Sequence, residues 1–415
     1  MKRIISVLLA SAALLFVGAS PALAHGELSQ EAWLRLNSVA WMDVQFSGGT
    51  PQQNGDVNIQ QGDTFKITGT AKILETWPET LAAPTEGFIN VESPGPVVLM
   101  KERVINGVQA PHSIYISKGS VYNFELTLQA RIPGRYHIHP TFAVHGAGTL
   151  IGPGQWYNVT SNSAGFTNPV TLYNGTTVNL ENYKVWWIFG FTFVGFIIGM
   201  VWLLWWIWPK PTVSRLAVTS QLSVNDDGGD AVGLVTKRDH RAMNIIMLVT
   251  VLFVALGMIW QSVAYPTKIP LQVDRFLVAG APQPVPFATA TGTDVTLDNK
   301  TNTYAMKVTL TNSGTSDMTI DSVHMANVTL TPTTDVSLSP QADVPAGQVA
   351  ISPSATIGAG QTVETTIRLP RAQLDSLKLI PVQNANSSVA GVLQVTSAGE
   401  TQFVTVYGTM DTIFA

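Results

Sequence analysis

Two histidines one residue apart, His137 and His139 in Gly134-Arg135-Tyr136-His137-Ile138-His139-Pro140, are the chain's clearest candidates for chemistry. In an extended strand, residues two apart share a face and sit about 6.6 Å apart along the backbone. Both imidazoles could then meet at one ion, with Tyr136 and Ile138 packing on the other face. Two ordinary surface histidines would show the same spacing, so a second feature must separate the readings. His25 supplies it. It follows Ala22-Leu23-Ala24, the small-residue cleavage site of a secretory leader with Lys2 and Arg3 at its start and an apolar stretch from Ile4 to Val17. Cleavage would leave a terminal amine with a pKa of about 7.7 to 8.0, which a metal deprotonates near neutral pH. The amine and imidazole of His25 form a chelate. With His137 and His139 they make one amine and three imidazole donors, a set that in tetragonal arrangement favours Cu(II), the divalent ion highest in the affinity order.

The remaining candidates are weaker. His145 is followed by Gly146 and Gly148, which point to a turn that aims it elsewhere. His112 follows a proline in a loop, His240 sits in a basic segment, and His324 lies far along the chain; all three read as surface or hydrogen-bonded residues. Asp226-Asp227-Gly228-Gly229-Asp230 lacks the ligand spacing and terminal Glu of an EF-hand and reads as a solvated turn. The 415 residues contain no cysteine, which excludes disulfides, zinc-thiolate sites, iron–sulfur clusters, thiol nucleophiles and Cys-ligated blue copper. A formal charge of −4 offers no basic footprint, so no nucleic-acid partner is expected. No Ser-His-Asp triad, paired-carboxylate site or phosphate-binding glycine motif is defensible.

The elements that must position the histidines are strands outside a membrane. Hydrophobic residues make up 46% of the chain and charged residues only 12%, against about 25% charged in an average soluble protein. Val185 to Trp208 carries no Asp, Glu, Lys, Arg or His. At about 1.5 Å per residue it reaches roughly 36 Å, enough to cross a bilayer with some tilt. Trp186 and Trp187 at one end and Trp205, Trp206 and Trp208 at the other suit the two interfaces. Met243 to Tyr265 is a second uncharged stretch. Spans are therefore expected at 184–208 and 242–265, in contact with membrane lipid. The segment 209–241 carries Lys210, Arg215, Lys237, Arg238 and Arg241 and belongs on the cytoplasmic side. Both flanking regions then face outward, in agreement with the leader at 1–24. Neither uncharged stretch, Val185 to Trp208 or Met243 to Tyr265, holds an acidic, basic or histidine side chain, so neither carries a proton relay or ion path of its own.

Residues 25–183 read as mostly β: Thr64 to Thr68 and Tyr122 to Leu128 alternate apolar and polar, with turns at Gly48-Gly49, Asn54-Gly55 and Pro94-Gly95-Pro96. A short helix is expected at 29–36. Residues 266–415 repeat the texture, with strands at Tyr304 to Leu310 and Phe403 to Tyr407 and a turn at Asn312-Ser313-Gly314. The expected fold class is mainly β with two transmembrane α-helices and two β-sandwich domains outside the membrane.

Taken in order, several motifs resemble the B subunit of copper-containing membrane monooxygenases, the family of particulate methane and ammonia monooxygenases. They are His25-Gly26-Glu27, Trp77-Pro78-Glu79, Ser93-Pro94-Gly95-Pro96, Ala130-Arg131-Ile132-Pro133-Gly134, His137-Ile138-His139 and Gly152-Pro153-Gly154-Gln155-Trp156. Asn168-Pro169-Val170, Leu180-Glu181-Asn182-Tyr183, Tyr265-Pro266 and Ile269-Pro270-Leu271-Gln272 follow. The resemblance implies two cupredoxin-like domains joined by two transmembrane helices, and copper held by His25, with its amine, His137 and His139. It also implies assembly with two helical membrane subunits, A and C, as a trimer of heterotrimers. Such a complex inserts one oxygen atom of O2 into a small apolar substrate or ammonia, using an external reductant. Methane-oxidising members often carry a histidine just before the residue matching Trp41, and ammonia oxidisers tend to carry glutamine; here the position is Ala40. That departure argues against a second copper site in this domain and favours a divergent branch acting on short alkanes or alkenes.

Two other readings compete. A membrane-anchored copper carrier or assembly factor would also use an N-terminal histidine, but its function calls neither for a second large β domain without ligands nor for tryptophan-rich spans. A purely structural subunit would bind no metal at His137 and His139.

Overall fold

The computed structural model describes residues 26–172, 174–207, 237–264, 278–298, 303–333, 343–380 and 388–413. The leader 1–24, His25 and most of the basic segment 209–241 lie outside them. The described chain is mainly β with two long apolar helices. One compact unit contains the described chain up to Phe166 and again from Asp274 onward; the other runs from Thr167 to Val273.

In the first β region a single 3-10 turn, Glu27–Ser29, leads into α1 (Ala32–Ser38), close to the helix expected at 29–36. Twelve strands follow: β1 (Val39–Ser47), β2 (Thr50–Pro51), β3 (Val57–Gln60), β4 (Thr64–Ile73), β5 (Glu86–Glu92) and β6 (Val98–Ile105), then β7 (Val108–Gln109), β8 (Ile114–Tyr115), β9 (Val121–Ala130), β10 (Gly134–Val144), β11 (Gly148–Ile151) and β12 (Gln155–Thr160). One sheet runs β1-β4-β9-β6-β7. The other runs β2-β3-β12-β10-β5-β8, with β11 also paired to β10. The alternation read at Thr64 to Thr68 and Tyr122 to Leu128 falls on β4 and β9, which pair antiparallel. Their inward residues Phe65, Ile67, Leu126 and Leu128 share one core with Ile89, Ile138, Phe142 and Tyr157 of the second sheet. Across it the Phe65 and Tyr157 rings lie 4.4 Å apart, and Tyr122 meets Phe142 edge-on at 6.1 Å.

The unit from Thr167 to Val273 holds the hairpin β13 (Pro169–Thr171) and β14 (Thr177–Asn179), then α2 (Val185–Ile207) and α3 (Lys237–Ala264). Both helices are long and apolar enough to cross a membrane. They touch through Phe191 and Phe253, whose rings stack 4.3 Å apart, and through Trp187 and Trp260 at 5.7 Å. α3 begins at Lys237, before the apolar window that opens at 242. Its first turns are charged, and hydropathy cannot mark the start of a helix whose opening residues are polar.

The second β region comprises β15 (Ala288–Asp298), β16 (Thr303–Asn312), β17 (Met318–Met325), β18 (Val328–Pro332), β19 (Gln348–Ser352), β20 (Thr356–Ile357), β21 (Thr362–Leu369), β22 (Ser388–Ser397) and β23 (Glu400–Ile413), with the short helix Arg371–Ser376 between β21 and β22. The order is β18-β19-β21-β16-β15-β23-β22-β17-β20, and β17 also pairs with β18. The ladder thus returns to its starting strand and encloses its core within one continuous sheet, instead of splitting into two. Alternation along Tyr304 to Leu310 reports a buried face; it carries no information on whether the sheet closes.

The two β regions meet through residues whose types suggest exposure. Arg35, Asn37 and Ser38 of α1 are buried. Arg35 donates to Leu377 O at 2.9 Å and to Asn327 Oδ1 at 3.0 Å, and Asn37 Nδ2 donates to Ser388 O at 2.9 Å. On β1, Val39 and Trp41 face the first core. Ala40 and Met42 face an apolar seam with Leu74, Ala390 and Val392. Ala40 is fully buried there.

Candidate metal centre

β10 changes partners at the two histidines. Residues 134–138 pair with β12, and residues 139–144 pair with β5. From Thr141 onward β11 also joins β10. Between β11 and β12 the chain inserts Gly152-Pro153-Gly154 opposite His139-Pro140: Thr141 pairs with Ile151, yet Ile138 pairs with Gln155. One extra residue on that side makes a bulge, a device that re-aims neighbouring side chains.

The strand period puts Ile138 in the core and both histidines on the opposite face. His139 is buried and His137 half-buried, with ring centroids 4.2 Å apart at a 78° angle. His139 Nδ1 lies 2.9 Å from Gly152 O. Only an N–H can bind a carbonyl, so that contact places the proton on Nδ1 and turns the Nε2 lone pair toward His137. Nε2 lies 2.9 Å from His137 Nδ1. Two nitrogens about 2.0 Å from one metal ion stand roughly 2.8 Å apart at a right angle and about 3.3 Å apart at a tetrahedral angle. The observed separation fits a right-angled pair, and the carbonyl on Nδ1 is the usual outer partner of a metal-ligating histidine.

The glycines give the imidazoles room. A Cβ at Gly154 would lie 2.5 Å from His139 Nδ1 and 2.8 Å from His137 Cε1. A Cβ at Gly26 would lie 3.1 Å from His139 Nε2, so the first described residue rests against the nitrogen that faces His137. Two attachments hold it there. Ser29 Oγ donates to Gly26 O at 2.8 Å. Gln30 accepts from Ile151 N at 2.9 Å and donates to Thr149 O, which moors the segment on β11.

The family model for monooxygenase B subunits matches residues 26–414, nearly all of the chain. The chain belongs to that family. This B subunit is similar to the particulate methane monooxygenase alpha subunit of Methylococcus capsulatus, 33% identical over 325 residues that cover 78% of this chain and 75% of that protein. Among solved structures it is similar to the cupredoxin domain of amoB from Nitrosocaldus yellowstonii, with 16% identity, 34% of this chain and 96% of that chain covered, and a TM-score of 0.25. A cohesin module from Clostridium perfringens is also similar, with 8% identity, 30% and 100% coverage, and a TM-score of 0.17. At those TM-scores neither superposition bears on the site.

Of the ligands expected in this B subunit, His137 and His139 come together, and His25 lies outside the described residues. Among the described residues no group of three or more His, Asp or Glu is placed to hold a metal, so His145, which is exposed, does not join the pair. His324 is fully buried, with Ser322 Oγ 2.8 Å and Gln394 Oε1 3.1 Å from Nε2, and Thr329 Oγ1 3.1 Å from Nδ1. Burial pushes its pKa below the ordinary value, partly offset by Gln394 and by Asp43. Reasoning from sequence missed three contributors: the bulge, the mooring at Gln30, and Trp156, whose ring stacks on His137. Gly152-Pro153-Gly154 stands out in the sequence only as part of a family motif; the register shows what it covers.

Proposed function

We propose that this chain is the copper-binding B subunit of a membrane-bound monooxygenase that inserts one oxygen atom from O2 into methane or another short hydrocarbon, drawing on an external reductant. His25, through its amine and imidazole, would hold the copper together with His137 and His139. The observation that carries this reading is the pair of imidazole nitrogens 2.9 Å apart with Gly26 packed against one of them. His25 directly precedes Gly26 in the sequence, which supports its inclusion in the proposed ligand set. Copper supplies one-electron chemistry toward oxygen when bound; this chain's residues hold it, exclude bulky groups with glycine, and fix the imidazole orientation.

The apolar faces of α2 and α3 support a place in the membrane, packed against two helical partner subunits in a trimer of heterotrimers. The basic residues Lys237, Arg238 and Arg241 at the start of α3 support a cytoplasmic connection. Both β regions then lie on the periplasmic side, after removal of residues 1–24. The Methylococcus relative's name supports methane or a similar hydrocarbon as substrate.

Purification from native membranes, followed by turnover with methane, a short alkane, ethylene and ammonia, tests the reading. Recovery with two membrane partners in equal amounts and hydrocarbon oxidation are expected. A chain that is stable alone and passes copper to an acceptor would make it a carrier, and turnover of ammonia alone would overturn the substrate.

A further inference from the structure

We infer that Trp156 is a positioning residue for His137, its indole holding the imidazole so that Nδ1, and not Cδ2, faces His139 Nε2. The inference rests on the reading of His137 and His139 as metal ligands and adds how one of them is oriented.

The two imidazoles are fixed by different means. His139 is held by the Gly152 carbonyl on Nδ1. His137 lies directly opposite Trp156 in the β10–β12 ladder, and their rings stack with centroids 4.7 Å apart and planes 18° apart. Half a turn of the His137 ring about its Cβ–Cγ bond would exchange Nδ1 for a carbon at the position 2.9 Å from His139 Nε2. A flat indole against one face of the imidazole resists the tilts through which such a turn must pass.

The indole is itself held. The Arg135 guanidinium lies 3.8 Å from its centroid. Arg135 makes two bonds to Asp56, Nε to Oδ2 at 2.7 Å and Nη2 to Oδ1 at 3.0 Å. The Asp56 side chain is 7% exposed, and its backbone is held by Gln52 N at 2.8 Å and by the Asn54 side chain at 3.1 Å. Asp56, in the turn before β3, and Arg135, Trp156 and His137 on β10 and β12 thus form one connected column.

Core packing does not account for this tryptophan. On β12 the core residues are Tyr157 and Val159, so Trp156 projects from the other face, where it is half-buried. A large aromatic ring on the outer face, matched in plane to one imidazole and covered by an anchored cation, is placed to act on His137.

The test uses the purified native complex, stripped of copper and titrated with Cu(II) against a competing chelator, with the Cu(II) EPR spectrum recorded. Trp156→Ala is expected to weaken Cu(II) binding on the order of tenfold to a hundredfold, the range for loss of a ligand's outer partner, and to alter the spectrum. Trp156→Phe, which keeps a flat ring, is expected to restore most of the affinity and the spectrum. Arg135→Gln should fall between wild type and Trp156→Ala and keeps the test open if the alanine variant fails to fold. Wild-type affinity and spectrum in Trp156→Ala, or equal losses in the phenylalanine and alanine variants, would overturn the inference. His137→Ala separates the two levels: if it binds copper as the wild type does, the ligand reading fails whatever the tryptophan variants show.

Discussion

Replacing Gly154 with alanine would test whether the bulge and the two imidazoles are fitted to each other. The backbone at Gly154 is outside the left-handed region, so the substitution adds a methyl group without backbone strain. That methyl would lie 2.5 Å from His139 Nδ1 and 2.8 Å from His137 Cε1, about 0.9 and 0.6 Å inside the 3.4 Å at which ordinary contact begins. Neither ring can yield easily. His139 is buried and bonded to Gly152, and His137 is stacked on Trp156. Overpacking of this kind costs about 1–3 kcal/mol. If His139 moves and loses the Gly152 carbonyl, about 1 kcal/mol more is lost. Loss of that outer partner weakens metal binding on the order of tenfold to a hundredfold. Thermal unfolding of the copper-free protein and a Cu(II) competition titration read the two effects separately. A Gly154→Ala variant with unchanged Tm and unchanged copper affinity would refute the proposed fit.

Stability should fall as the pH drops from about 6.5, the ordinary histidine value, toward the lower value of folded His324. In that window the unfolded chain binds the proton that the buried ring resists, and by linkage the unfolded state gains. Denaturant unfolding at several pH values should show a shallower decline for His324→Gln; an identical slope would exclude His324 as the source. Ala40→His would place an imidazole in the apolar seam with Met42, Leu74, Ala390 and Val392 and should destabilise by about 1–3 kcal/mol, read as a lower Tm. Arg35→Ala removes the donors to Leu377 and Asn327 and should cost a similar amount, about 1–3 kcal/mol for carbonyls left unsatisfied, with faster proteolysis between the β regions.

Local periodicity made much of the architecture legible. The alternating runs at Thr64 to Thr68, Tyr122 to Leu128, Tyr304 to Leu310 and Phe403 to Tyr407 all fall within strands, and the described parts of both uncharged stretches fall on long helices. His137 and His139 were legible as a pair because a period of two needs no tertiary information. Their setting was not. The bulge depends on the register between residues 138–141 and 151–155, which pairs segments that sequence patterns cannot align. The joint between the β regions was hidden for the opposite reason: Arg35 and Asn37 are types normally assigned to the surface, and they are buried because their bonds are completed across the joint. Closure of the second sheet through β17 and β18 is likewise a property of the assembled ladder and of no single strand.

Cu(II) EPR of the native, leader-processed protein addresses the copper centre most directly, compared with His137→Ala, His139→Ala and a form carrying one extra residue before His25. The expected result is one copper with an axial, nitrogen-coupled spectrum, lost in both alanine variants and weakened when the terminal amine is displaced. Copper retained with the same spectrum in all three altered proteins would contradict the centre proposed at His25, His137 and His139.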